Sequence, residues 1–342
     1  MHILKKHSQI NWTLADQAIV SGVNFLTGIL IARYLGAEEF GRFTLVWMAV
    51  LFVNSIQMAM ISNPMLSIAP KQEKKNNPAY FSAIILQQFI FGLLSFCLVY
   101  GGVHIYHFWK PEHTIISLSL PLALAVFSFQ TQDFLRRLFF AQTRPAIAFI
   151  NDFISYIGQL ALLVYLFQVM TLDTEKVLWV ISITSLAAIF FGVCCFRNLA
   201  NPLKQFTCVI KRHWASAKWM TLSALLQWFS GNIFFIMTGV ILGSSAVGAL
   251  KATQNLLAGL NIIFLGLDNY IPLKMSYHFH NNGLTKMKYF LMKILFHGLL
   301  IIISISCFIS FFSSELLAIF FNGVFDDYVE IVYWWAAIYP VM

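Results

Sequence analysis

The sequence predicts an all-α fold: a polytopic membrane helix bundle. Three observations predict it. Apolar residues fill 59% of the 342-residue chain, charged residues only 11%, and the apolar residues fall into ten stretches separated by short polar loops. Soluble domains carry about 25% charged residues. A chain this apolar cannot hide its surface in one water-soluble core, so lipid has to solvate it.

A helix rises about 1.5 Å per residue, so roughly 20 apolar residues cross the hydrocarbon. Nine full spans are expected at 13–34, 43–62, 80–101, 115–135, 147–168, 177–197, 220–242, 247–270 and 292–312, and a tenth begins near Val329. With these spans, 17 of the 22 Lys and Arg residues fall on one side; the five on the other are Arg33, Arg42, Lys110, Lys176 and Lys251. Positive charge stays cytoplasmic. The reading is a multi-pass membrane protein with its N-terminus on the cytoplasmic side. The net charge of +8 then follows from topology and anionic lipid, and no nucleic-acid partner is expected. Trp12, Trp109, Trp179, Trp219, Trp334 and Trp335 lie near expected span ends, as interfacial anchors do.

Enzymatic chemistry has no address in the sequence: HExxH, P-loop and GxSxG patterns are all missing, and no catalytic residue is assigned. The five cysteines are odd in number and lack CxxC spacing, which reads as buried, inert thiols. His104, His107 and His113 cluster at the outer end of the third span. Interfacial histidines of this kind are mostly unliganded, so no metal and no cofactor is expected.

The chain resembles itself at an offset of 207. Leu35-Gly36-Ala37-Glu38-Glu39-Phe40-Gly41 aligns with Leu242-Gly243-Ser244-Ser245-Ala246-Val247-Gly248, and Asn54, Pro64 and Trp12 recur approximately or in register as Asn261, Pro272 and Trp219. An even number of crossings per copy gives parallel repeats. The expected organisation is a first lobe of six spans (1–202), a basic amphipathic cytoplasmic linker (203–219) and a second lobe (220–342) with three full spans and one partial span. Against a six-span first copy, the second is incomplete. It reads either as truncated by two to three spans or as an abbreviated variant. In the linker, Leu203, Phe206, Ile210, Trp214 and Ala217 form an apolar stripe among Lys204, Lys211, Arg212 and Lys218.

Polar residues inside spans are costly and face cavities or other helices. At 100° per residue, Lys251, Gln254, Asn255, Asn261, Asp268 and Asn269 of the eighth span share an arc of about 140°. Asp16, Gln17, Ser21, Asn24 and Thr27 do so in the first span. Gln227 with Ser223 in the seventh span, and Asn54 with Ser55 in the second, continue the pattern. These faces are expected to look onto a central cavity. Lys251 is a cation for an anionic substrate or a snorkelling lysine. Each Asn or Gln is a cavity contact or a helix-packing hydrogen bond. Asp16 and Asp268 are candidates for ion coupling or interfacial residues. Arg136, Arg137 and Arg144 flank the turn after the fourth span; Arg matches phosphate oxygens through two parallel donors, and positive-inside topology explains the same residues.

ARYLGAEEFGRFTL (32–45), QTQDFLRRLFFAQTRPAIAFIND (130–152) and VGALKATQNLLAGLNIIFLGLDNYIP (247–272) resemble the Wzx-type polysaccharide (O-antigen repeat-unit) flippases of the multidrug/oligosaccharidyl-lipid/polysaccharide exporter superfamily. The resemblance implies two six-helix lobes around a central cavity, working by alternating access. It implies transport of an oligosaccharide repeat unit on undecaprenyl diphosphate from the cytoplasmic to the periplasmic leaflet, for surface polysaccharide such as lipopolysaccharide. Expected partners are the lipid-linked oligosaccharide, membrane lipid, and the polysaccharide polymerase and chain-length machinery. An ion-coupled multidrug antiporter of the same superfamily is the alternative.

Overall fold

The computed structural model describes residues 2–71, 77–111, 113–196 and 199–341; side chains are described outside 2–11, 13–14, 77, 113–114, 261–263, 265–270, 272–273 and 276–282. Among the described residues all regular structure is helical. The helices are α1 (His2–Gln57), α2 (Asn63–Ile68), α3 (Asn77–Trp109), α4 (His113–Ile116), α5 (Ser119–Ala141), α6 (Pro145–Asp152), α7 (Gly158–Val169), α8 (Thr174–Cys194), α9 (Phe206–Leu242), α10 (Ser244–Leu256), α11 (Ala258–Phe311), α12 (Ser313–Phe321) and α13 (Val329–Ile338). Two π-helical turns, Met58–Ser62 and Phe153–Ile157, join α1 to α2 and α6 to α7.

Six helical segments among the described residues are long and apolar enough to cross a membrane: Ala15–Lys71, Pro78–Trp109, Pro145–Val169, Thr174–Cys194, Phe206–Leu242 and Gly283–Phe311. The first is too long for a single crossing, since 57 residues of helix would run about 85 Å against a hydrocarbon core of about 30 Å. Gly36, at φ 77° and ψ 173°, breaks α1 into two arms. α11 is broken likewise at Gly283. Only glycine adopts such angles without a Cβ clash, so a turn of one residue connects successive spans.

α5 is not among the six. Gln130, Gln132 and Asp133 lower its hydropathy, yet all three are buried, as are most residues along its length. A helix enclosed by protein can be polar, because its neighbours rather than lipid satisfy it. α5 packs against both α3 and α8.

The chain divides into two compact units, Met1–Thr27 with Arg42–Ile241, and Gly28–Gly41 with Leu242–Met342. In the first unit, Ile61, Met65, Tyr80, Ile84, Phe134, Leu138, Phe139, Ala148 and Val209 build one apolar core. Local sequence signals set the helix ends around it. Pro145 opens α6 where its missing N–H is not needed. Asp173 caps α8 by accepting from the Lys176 amide at 2.9 Å. Partial burial pushes the Asp173 carboxyl up, but the hydrogen bonds and charge of Lys176 outweigh it and hold the group below the ordinary carboxylate range.

α9 runs unbroken from the linker segment into the span that follows it. Its buried stripe is Val209, His213 and Ala217, whereas Leu203, Ile210 and Trp214 are exposed. Of the apolar stripe read from the sequence, Leu203, Ile210 and Trp214 face outward and Ala217 inward, so the face packed inside the first unit is a second stripe. The cause is His213, a polar residue that buries because its Nε2 lies 3.1 Å from the Tyr80 hydroxyl. The cysteines also differ from expectation: Cys97, Cys194, Cys208 and Cys307 are exposed and Cys195 is half-buried. In a bundle solvated by hydrocarbon the outer face is apolar too, so a small apolar side chain has no reason to prefer the inside.

In the second unit α13 packs on α10 and α11, and Trp335 Nε1 donates to the Leu250 carbonyl at 3.3 Å. Gly243 has φ 87° and ψ 177°, nearly the angles of Gly36. The two glycines that align at an offset of 207 therefore share one backbone conformation. Six residues further along the chain, counting inclusively, the copies meet. The Ser244 carbonyl occupies the place of a Cβ on Gly41, and the Ala37 carbonyl the place of a Cβ on Gly248. Ala37 and Ser244 are themselves repeat mates, so the contact is reciprocal.

Candidate functional site

Two features of the first unit concentrate polar chemistry: a cavity and, beside it, a buried cluster of charges. The cavity, of about 420 Å³, lies between the end of α1 with the following π turn and α2 on one side, and α9 on the other. Ser55, Met58 and Asn63 line the first side; Trp219, Met220, Ser223 and Gln227 line the second. Trp219, Ser223 and Gln227 are spaced by four and so share one helix face. Phe52 sits edge-to-face on Trp228, centroids 4.7 Å apart, and holds α1 against α9. An indole, two hydroxyls and two amides around a space of this size suit a neutral polar ligand with an apolar face.

The charged cluster is built on α5. Arg136 Nη2 donates to Asp16 Oδ2 at 2.8 Å and its Nε donates to the same oxygen at 3.1 Å. The Nε also lies 2.8 Å from Asp152 Oδ2, but its N–H points to Asp16. Asp152 Oδ2 is therefore left without an aligned donor among the described residues. Arg137 Nε donates to Asp133 Oδ2 at 2.8 Å, one helical turn back. Gln132 Nε2 donates to Asn151 Oδ1 at 3.1 Å and Asp152 Oδ1 at 2.7 Å, and Asn151 donates to the Ala188 carbonyl at 2.6 Å. Asp16 is 1% exposed and Asp152 0%, so the ion pairs operate in a low dielectric and removing one partner is costly. Arg137 also reaches Met58 Sδ at 3.5 Å, which joins the cluster to the cavity wall. Each π turn begins at this junction, one at Met58 and one directly after Asp152; π-bulges of this kind recur at functional sites.

The structure distributes the remaining sequence-derived candidates as follows. Arg144 donates to the Cys195 carbonyl at 3.0 Å, where it closes the end of α8. Asn24 is exposed and Asn54 is buried. Asn54 Oδ1 accepts no hydrogen bond from a described residue. In the second unit, Lys251 Nζ donates to Gln254 Oε1 at 2.9 Å, and Asn255 packs against Gly28, its Nδ2 3.1 Å from the place of a Cβ there. The side chains of Asn261 and Asp268 lie outside the described residues. His104 is bonded to the Tyr100 carbonyl at 2.9 Å. Sequence reasoning did not single out Asp133, Asp152, Gln132 or Asn63. The signal for the first was present: an aspartate three and four residues before two arginines, inside an apolar span, is a helical ion-pair spacing. Asp152 pairs only through the fold, 120 residues being the separation between Asp16 and Arg136 in the same cluster.

The family described as polysaccharide biosynthesis protein matches residues 8–268. The chain belongs to that family. No curated protein matches the sequence significantly. Among solved structures, the chain is similar to an inward-facing multidrug resistance MATE family transporter of the MOP superfamily, with 11% identity, 93% of this chain and 76% of that one covered, and a TM-score of 0.73. It is similar also to an outward-facing MATE family transporter, with 12% identity, 97% and 77% covered, and a TM-score of 0.65. A third is a MOP superfamily transporter from Pyrococcus furiosus, described as having a binding pocket of reversed polarity, with 12% identity, 99% and 77% covered, and a TM-score of 0.57. These likenesses establish the fold: a multi-pass helical bundle of the MOP transporter type.

Proposed function

We propose that this member of the polysaccharide biosynthesis protein family is a flippase, which moves an undecaprenyl-diphosphate-linked oligosaccharide repeat unit from the cytoplasmic to the periplasmic leaflet by alternating access. The observation that carries the reading is the open cleft of Trp219, Ser223, Gln227, Ser55 and Asn63 between two walls of membrane-spanning helix. A sugar headgroup cannot cross hydrocarbon, because each hydroxyl would lose its water without replacement. The amides and hydroxyls replace that water, and the indole offers a flat apolar face to the sugar C–H groups. The polyprenyl tail stays in lipid. Arg137, beside the cavity at Met58, is the cation proposed for the diphosphate in the first unit; in the second unit, Lys251, with Gln254, is proposed as a cation for an anionic substrate. Asn24, Asn54, Asn255 and Asn261 are proposed further contacts, and Asp16 and Asp268 the ion-coupling candidates. The chain acts as a transporter rather than an enzyme, in the inner membrane with its N-terminus cytoplasmic. The polysaccharide polymerase and chain-length machinery take its product.

The second reading, an ion-coupled multidrug antiporter, is favoured by the fold shared with multidrug transporters. A deletion strain separates the two. The flippase reading expects accumulation of lipid-linked oligosaccharide with unchanged drug tolerance; the antiporter reading expects the reverse.

A further inference from the structure

The cleft between α1 and α9 carries no charge of its own. Among the described residues its lining includes no Asp, Glu, Lys, Arg or His. Neither wall holds an acid nearby in sequence: none occurs between Gly41 and Gln72, or between Phe206 and Leu242. Two cations adjoin the cleft without lining it. Arg137 reaches Met58 Sδ at 3.5 Å and is matched by Asp133 at 2.8 Å. Lys218 holds its ammonium 5.6 Å from the centre of the Trp219 ring.

The polar groups of the lining are neutral and open to a ligand. Ser55 Oγ donates to the Phe52 carbonyl at 2.7 Å, so its lone pairs remain to accept. The Asn63 and Gln227 amides and the Ser223 hydroxyl form no hydrogen bond with another described residue. Each of them therefore offers both a donor and an acceptor. Met58, Met220 and Ala224 lie among them as apolar surface. This lining suits hydroxyl groups carried on an apolar ring. A volume of about 420 Å³ is near the low end of small-ligand pockets, about 300–1,000 Å³. It has room for a sugar ring or two and not for a whole repeat unit.

We propose that this cleft is a charge filter: it accepts an uncharged sugar next to the diphosphate and refuses one that carries a carboxylate or an ammonium. The inference rests on the flippase reading above and names the sugar class which that site takes. A hydroxyl entering the cleft exchanges water for amide and hydroxyl partners at little cost. A sugar carboxylate would exchange water for neutral groups with no cation in contact, and a charge taken from water without a partner is penalised far more than a hydroxyl. A sugar ammonium would find no carboxylate on either wall and two cations close by. Those cations, at the edge of the cleft, are left for the diphosphate, which follows directly on the first sugar.

Equilibrium binding to the full chain in lipid nanodiscs reads the filter. The probes are farnesyl diphosphate carrying glucose, glucuronic acid or glucosamine, together with the galacto counterpart of each. The neutral probe should bind tighter than either charged one by roughly tenfold or more in at least one series, with the order reversed in neither. Gln227→Lys places a cation in the lining and should raise affinity for the acidic probe by roughly tenfold. A gain of binding cannot come from misfolding, and Ser223→Lys, on the same face of α9, makes the same test if Gln227→Lys does not fold. Wild-type protein that binds an acidic or amino probe as tightly as the neutral one overturns the filter and leaves the flippase reading standing. Folded lysine variants without a gain for the acidic probe overturn the cleft as its location. Binding of none of the probes overturns both the filter and the flippase reading.

Discussion

Gly41 and Gly248 face each other with no room for a side chain on either. The Gly248 amide nitrogen lies 3.0 Å from the place of a Cβ on Gly41, and the Gly41 nitrogen 3.1 Å from that on Gly248. Each glycine also abuts a carbonyl of the other copy's turn, Ser244 or Ala37. Both atoms in the way are backbone, which cannot swing aside as a long side chain can. Gly41→Ala and Gly248→Ala should therefore each destabilise by about 1–3 kcal/mol, the range for overpacking, and by similar amounts because the contacts are reciprocal. Thermal unfolding in detergent checks this. Gly22, with open space around it, is the control: Gly22→Ala should be neutral or slightly stabilising.

Arg136 is the keystone of the buried charges. Arg136→Met keeps its volume but leaves Asp16 and Asp152 without a counter-charge, and should cost about 3–5 kcal/mol. Adding Asp16→Asn to that variant removes a carboxylate and should recover part of the loss. A double-mutant cycle on melting temperature measures the coupling; strict additivity would contradict the pairing.

The Tyr80–His213 pair fastens α3 to the first turns of α9. His213 Nδ1 already lacks a partner among the described residues. Tyr80→Phe strips the partner from Nε2 as well, and should cost about 1–3 kcal/mol. Proteolysis within the segment preceding α9 should accelerate in step.

Much of the fold is legible in the sequence, for a physical reason: the hydrocarbon thickness sets the length of every span, so apolar runs and loop charges place helices without knowledge of their packing. The LG…G repeat is legible because a one-residue turn needs glycine at Gly36 and Gly243 in both copies. The site is less so. Asp152 stands out only beside Arg136, which also holds Asp16 of α1 from 120 residues away in the chain. Trp219 carries the composition of an interfacial anchor, and only the packing of α9 against α1 turns it into a cavity wall. The buried stripe of α9 escapes periodicity because its central member, His213, is polar.

Trp219 separates sugar binding from membrane anchoring. Trp219→Ala should lower lipid-linked oligosaccharide transport by roughly five- to tenfold, from loss of about 1 kcal/mol or slightly more of aromatic contact. Trp219→Phe, which keeps a flat apolar face, should retain most of it. Equal membrane levels of the variants, read by immunoblot, exclude an insertion defect.

The most direct test of the flippase account is complementation in the chain's own host after deletion of the chromosomal copy. Surface polysaccharide and lipid-linked intermediates are measured together with drug tolerance, for the wild type and Trp219→Ala. The account predicts that the wild-type chain restores surface polysaccharide and clears the lipid-linked intermediate, that Trp219→Ala does so poorly, and that drug tolerance stays constant. Loss of the chain with polysaccharide intact and drug tolerance lowered would contradict it.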